Sequence, residues 1–192
     1  MIRRTLALAG AAALAAGFTG LAGPAAADSG ITQAGAVFIN EVGAELDPNS
    51  SNHDVEHGFI ELINRDTAPV DVSGWTVIGC ATSGSFNIVI DSDTSIPANG
   101  TFLVGELEFD DLSGTVPDQR FEAGEVLEQT AGGARLEDPN GSQPDNEVMW
   151  GPDNSVACAS TNAGVLPTDD ESIHYDPATD TYFLDAPTPQ PL

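Results

Sequence analysis

Short runs of β-branched and aromatic residues recur from Val37 onward, separated by clusters of Gly, Pro, Asn, Asp and Ser. No long stretch of this region repeats apolar residues at i, i+3, i+4 and i+7, so the pattern predicts strands rather than amphipathic helices. The expected strands are Val37–Val42, Phe59–Ile63, Val70–Val72, Trp75–Ile78, Phe86–Ile90, Thr101–Val104, Phe121–Leu127, Ala134–Glu137 and Val148–Trp150. Phe59–Ile63 is apolar on both faces apart from Glu61, which predicts a central strand. Trp75–Ile78 is expected in the core. Ile96-Pro97-Ala98-Asn99-Gly100 and Asp138-Pro139-Asn140-Gly141 carry turn chemistry, because Asn and Gly accept positive φ readily. Gly43–His57 reads as a long polar loop, and the chain from Gly151 onward reads as loop-rich, ending Ala186-Pro187-Thr188-Pro189-Gln190-Pro191. Several short strands at this spacing indicate an all-β sandwich or barrel.

The first residues read differently. Met1-Ile2-Arg3-Arg4 is a short basic start, Leu6–Leu21 is rich in Ala, Leu and Gly, and Pro24-Ala25-Ala26-Ala27 offers a small-residue cleavage pattern. These are the three parts of a secretory signal peptide, expected to be cut after Ala27. A retained anchor is the alternative, but the apolar run is short and weakly hydrophobic for a bilayer span, so no stable membrane insertion is expected. Arg3-Arg4 only partly matches a twin-arginine signal, which leaves the export route open. Residues 28–35 would then be a short linker, and 36–191 one domain.

Charge narrows the partners. The chain has 192 residues with 30 Asp and Glu and 5 basic residues. Beyond Ala27 the only basic side chains left, His apart, are Arg65, Arg120 and Arg135, for a formal charge of −27. Nucleic acid is therefore not an expected partner, because phosphate binding needs Lys and Arg to displace counterions. Many acids fall in expected loops and turns, which marks the surface as acidic and leaves salt adaptation and calcium binding both open. The hydrophobic content of 41% is ample for a folded core. Cys80 and Cys158 both lie in the exported part, where an even count predicts a disulfide. A metal-binding pair is the other option, but neither cysteine has a Cys or His neighbour at ligand spacing.

Several runs together resemble a known family. Val37-Phe38-Ile39-Asn40-Glu41-Val42, Gly58–Asn64 (GFIELIN), Ala68–Gly79 (APVDVSGWTVIG), Ile96–Gly105 (IPANGTFLVG) and Ala134–Gly141 (ARLEDPNG) occur in the order seen in the lamin tail domain of secreted bacterial proteins. Its motif positions fall here on Asn40, Glu41, Glu61, Asn64, Gly74, Trp75, Gly100 and Gly141. The last stretch, Asp170–Pro191, is similar to the family's closing segment, with Gln190 where a glycine usually stands. The resemblance implies an immunoglobulin-like β-sandwich that serves as a binding or interaction module, and it brings no catalytic residues. The loop Asp47–His57 is longer than the family's usual connection.

Candidate chemistry is sparse. His53, Asp54, Glu56 and His57 place two imidazoles and two carboxylates in one loop, a ligand set suited to a transition metal. Asp91 and Asp93, and the Asp138–Ser142 turn, offer oxygen ligands for Ca²⁺, although ordinary turns explain both. Glu41 and Glu61 stand inside apolar strands, where a carboxylate requires partners; structural hydrogen bonding is expected, with Arg65, Arg120 and Arg135 the only arginines available. Thr82-Ser83-Gly84-Ser85 lacks the nucleophile-elbow pattern, and His174 has no serine or carboxylate partner identifiable from sequence. Two functions follow as expectations. The first is a secreted, non-catalytic module that binds an extracellular protein or surface polysaccharide, with Ca²⁺ as a candidate cofactor. The second is a metal-dependent hydrolase built on loop 47–57.

Overall fold

Side-chain alternation along the first strand decides how the protein faces. The computed structural model describes residues 36–44, 58–107, 109, 114–121, 127–141, 147–152, 156–168 and 170–192, all within a compact unit Thr32–Leu192. In β1 (Val37–Gly43) the side chains of Val37, Ile39 and Val42 all join one buried cluster. Strict alternation would send Ile39 and Val42 to opposite faces. A register shift between Ile39 and Glu41 resolves the conflict. The extra residue of this bulge lets both aliphatics point inward and brings Glu41 directly opposite Glu61 of β2 (Phe59–Asn64).

β2 lies between β1 and β7 (Thr101–Gly105), as its two-sided apolar pattern predicts. The full sheet runs β12-β11-β1-β2-β7-β8, where β8 is Gln119–Arg120, β11 is Ser172–Asp176 and β12 is Thr181–Asp185. All its pairings are antiparallel except that of β7 with β8. A second sheet has the order β10-β9-β4-β5, made from β4 (Thr76–Ala81), β5 (Gly84–Val89), β9 (Gly132–Glu137) and β10 (Glu147–Trp150). A small ribbon pairs β3 (Val70–Asp71) with β6 (Ser95–Ile96). Val37, Ile60, Leu62, Phe102 and Val104 from the first sheet share a core with Val77, Leu136, Val148 and Trp150 from the second. The result is an all-β sandwich.

The expected strands need four adjustments. Of the segment read as Phe121–Leu127, residues 122–126 lie outside the described residues; Phe121 and Leu127 are buried outside strands, and a pairing stands just before them at Gln119–Arg120. The stretch beyond Gly151 is not merely loop, since it supplies the β11–β12 hairpin. Ser95–Ile96, read as part of a turn, forms β6 before the Pro97–Gly100 turn closes through Gly100 N–H to Pro97 O at 2.9 Å. Trp75 is half-buried against the core, while Val77 and Ile78 are fully inside.

The disulfide is present. Cys80 on β4 and Cys158 are joined with Cα atoms 6.1 Å apart. With Ile78, Met149, Val156 and Ala159 they form a second apolar cluster. Met149 N–H and C=O bond to Thr161 and Ala163, which straps the segment around Cys158 to the second sheet at β10.

One close approach in that sheet makes a sharp prediction. Gly79 pairs with Phe86 across β4 and β5, and a Cβ at Gly79 would stand 2.0 Å from the ring. The ring is held by Phe121, 5.0 Å away between centroids. G79A should lower stability by about 1–3 kcal/mol through overpacking, read as a lower urea midpoint at unchanged m-value.

Candidate functional site

The bulge in β1 creates a row of polar groups on the face of the six-stranded sheet away from the core. Register places His174, Glu41, Glu61 and Leu103 side by side on β11, β1, β2 and β7. Glu41 is 1% exposed and Glu61 2%. Buried carboxylates at such positions must accept hydrogen bonds. Their hydrogen-bond donors are neutral groups. Glu41 Oε1 accepts from Ser172 Oγ at 2.6 Å and from Thr188 N–H at 2.8 Å, while Oε2 accepts from Thr188 Oγ1 at 2.9 Å. Glu61 accepts from Asn40 Nδ2 and from Gln190 N–H, both at 2.7 Å. Arg65 reaches the row only through Asn40 Oδ1, at 3.4 Å. Arg120 donates to the carbonyls of Glu106 and Leu107, and Arg135 pairs with Glu137.

The row continues to Asp118, whose Oδ2 accepts from Leu103 N–H at 2.8 Å and from Leu192 N–H at 2.9 Å. The tail therefore crosses the sheet from β1 toward β8, giving an N–H to an acid at Thr188, Gln190 and Leu192. Pro187, Pro189 and Pro191 alternate with them and carry no N–H. The Thr188-Pro189-Gln190 stretch is thus seated on the sheet by its backbone.

Burial pushes the Glu61 carboxyl up to about 7, against the opposing pull of the Asn40 and Gln190 donors and with Glu41 adding to the rise. A carboxyl whose pKa is raised by folding binds its proton more tightly in the native state. Its contribution therefore favours the fold as pH falls from about 7 toward 4.5, and opposes it above that window. The whole effect is at most about 3 kcal/mol. E61Q should flatten the pH dependence of the urea midpoint between these limits relative to the parent chain.

His174 is not isolated, contrary to the sequence reading. Its Nε2 lies 2.9 Å from Ser172 Oγ and 3.5 Å from Glu41 Oε1, and its ring stacks on Phe183 at 5.4 Å. Ser172 Oγ donates to Glu41 Oε1, and its contact with His174 Nε2 takes its direction from the imidazole tautomer, the serine oxygen accepting when Nε2 carries the proton. A serine nucleophile needs the opposite polarity, with its proton held by the imidazole. Ser172 is also fully buried.

Other motif positions serve the framework. Asn64, also buried, shares its amide N–H groups among the carbonyls of Ala68, Ile96 and Pro97 and accepts from Asp66 N–H. It ties β2 to the small ribbon. Gly74 and Gly141 both have φ of 73°, which explains glycine in those turns. Asp138 accepts from Asn140 N–H, so that segment is a hydrogen-bonded turn. Sequence reasoning missed Glu106, a fully buried acid that accepts from Gly58 N–H at 2.6 Å and Leu127 N–H at 2.9 Å. Its place directly after the apolar run Thr101–Gly105 was the available signal.

Of the metal candidates, only Asp91, Asp93 and part of the Asp138–Ser142 turn fall among the described residues. Asp91 and Asp93 are exposed, and φ of 63° at Asp93 marks a turn. Among the described residues no group of three His, Cys, Asp or Glu side chains is arranged to hold a metal ion. His53, Asp54, Glu56 and His57 lie outside the described residues, as do residues 1–35, read from sequence as signal and linker, and the rest of loop 47–57. Among the described residues no helix is long and apolar enough to cross a membrane. A cleft of about 230 Å³ opens beside the β11–β12 hairpin, lined by Glu147, Tyr175, Asp180 and Tyr182. Tyr175 donates to Asp180 at 2.7 Å, and burial followed by that bond raises its phenol to about 12.

No protein-family model matches the chain. No curated protein matches it in sequence.

Proposed function

We propose that this protein is a secreted, non-catalytic binding module of the lamin-tail type, with an immunoglobulin-like sandwich as its frame. The observation that carries the reading is the Glu41–Ser172–His174 cluster. It joins the residue types of a hydrolase yet spends the serine proton on the buried carboxylate and lays Thr188 over the same acid. In this reading the cluster serves to bind chain to chain. The order of the motifs from Val37 to Gly141 supports the family, and the basic, apolar and small-residue segments up to Ala27 support export.

An extracellular protein or a surface polysaccharide is the ligand class that fits an exported, strongly acidic sandwich. Purified chain should be retained on isolated envelope material, polysaccharide or secreted protein, tested with Ca²⁺ and with EDTA. No retention under either condition would sink the reading. Turnover on ester or phosphoester panels that requires stoichiometric metal would replace it with the loop 47–57 hydrolase.

A further inference from the structure

The tail crossing the six-stranded sheet is held in an unusual way. Every N–H it has between Thr188 and Leu192 goes to a carboxylate: Thr188 to Glu41, Gln190 to Glu61, and Leu192 to Asp118. The residues between are prolines, which lack the donor and favour the extended polyproline conformation. Two residues of that conformation advance about 6 Å, close to the spacing of about 4.8 Å between strands. The acids stand on successive parts of the sheet, with Glu41 and Glu61 as direct cross-strand partners and Asp118 joined to the next strand through Leu103 N–H. The side chains of Thr188 and Gln190 are exposed, whereas Pro187 and Pro189 are half-buried. The acids thus read backbone N–H groups, Pro187 and Pro189 are the half-buried positions while Pro191 is exposed, and only the Thr188 hydroxyl adds a side-chain bond.

From this geometry we infer that the outer face of the six-stranded sheet is a binding groove for an extended Pro-x-Pro-x-Pro segment of a partner protein, filled in this structure by the chain's own residues 187–191. The inference rests on the reading of the protein as a binding module and names the chemistry of its partner. Recognition by alternate N–H groups does not depend on which chain supplies them. Prolines restrict the free segment beforehand, so less conformational freedom is lost on seating. The resident tail competes from a local concentration of about millimolar, so a partner enters when the tail lifts.

The test uses the full chain carrying T188P and Q190P, which removes two of the tail's donors while leaving all three acids in place. Near-ultraviolet circular dichroism reports whether the sandwich is retained. A fluorescent peptide, Ala-Pro-Thr-Pro-Gln-Pro-Leu, should bind this variant saturably, and bind the parent chain about tenfold more weakly or less because the resident tail competes. A control peptide with proline at both x positions should not bind. Failure of the first peptide to bind the folded variant, or equal binding of both peptides, overturns the groove. That result leaves the broader binding reading standing, since retention on extracellular material tests it separately. If the variant does not fold, hydrogen exchange on the parent chain decides. Thr188 and Gln190 amides should exchange by local opening, about tenfold or more faster than Ile60 and Leu62. Equal rates would make the tail an inseparable part of the fold and overturn the proposal. A parent-chain dimer formed by mutual tail exchange would do the same, by assigning the groove to self-assembly.

Discussion

Replacing Glu41 by alanine should lower stability by about 3 kcal/mol, one of the two largest effects expected of any change described above. The side chain is buried and takes three hydrogen bonds, from Ser172 Oγ, Thr188 N–H and Thr188 Oγ1. Bonds to a charged acceptor contribute about 1.5–3 kcal/mol each, but the desolvation of the carboxylate offsets much of their sum. What remains in E41A is a buried serine hydroxyl without its acceptor, a His174 ring without its neighbouring charge, and a small void. The tail is expected to loosen at Thr188 first. Urea unfolding followed by tryptophan fluorescence gives the stability, and amide exchange at Thr188 gives the local effect. A loss below about 1 kcal/mol would show that water replaces the carboxylate without penalty and that burial overstates its role.

The second large effect is removal of the disulfide. Cys80 and Cys158 are 78 positions apart in sequence. In the chain-entropy account a loop of that length restricts the unfolded ensemble by about 4 kcal/mol, with engineered cases often delivering less. C80S/C158S should therefore unfold at a much lower urea concentration, and the parent chain should show the same fall in reductant. The effect has a local side as well. Cys158 anchors Val156 and Ala159 against Ile78 and Met149, so the 156–163 segment should become the first proteolytic site of the reduced protein. Equal midpoints with and without reductant would mean that this packing alone holds the segment.

The fold was readable where chemistry is local. Val37, Ile39, Ile60 and Leu62 advertise buried strands by composition, and Asn99-Gly100 and Asn140-Gly141 advertise turns. The cysteine pairing followed from count and compartment. The β11–β12 hairpin was harder, since Asp176, Asp180 and Asp185 dilute its apolar pattern. The alternation of Ile173 with Tyr175 and of Tyr182 with Leu184, around an Asp-Pro-Ala-Thr-Asp turn, was the signal present. The partners of Glu41 and Glu61 were not readable. Apart from Asn40, 21 positions from Glu61, their donors lie 129–147 positions away, and two of them are backbone N–H groups, which have no signature in the side-chain sequence. The same distance hid the meeting of Ser172, His174 and Glu41, which depends on the pairing of β1 with β11.

That pairing also constrains how the chain reaches its native state. β1 is an interior strand, bonded on one side to β2 and on the other to β11. Its first partner follows within 30 residues or so, but its second begins at Ser172, near the far end. Until the last part of the chain is available, β1 remains an open edge beside a buried acid with no donor. Contacts of such sequence separation form slowly, because loop closure precedes any gain from the contact. The sandwich should accordingly assemble only after Ser172–Asp176 has been synthesised, and chains cut short before residue 172 should expose β1 as an aggregation-prone edge.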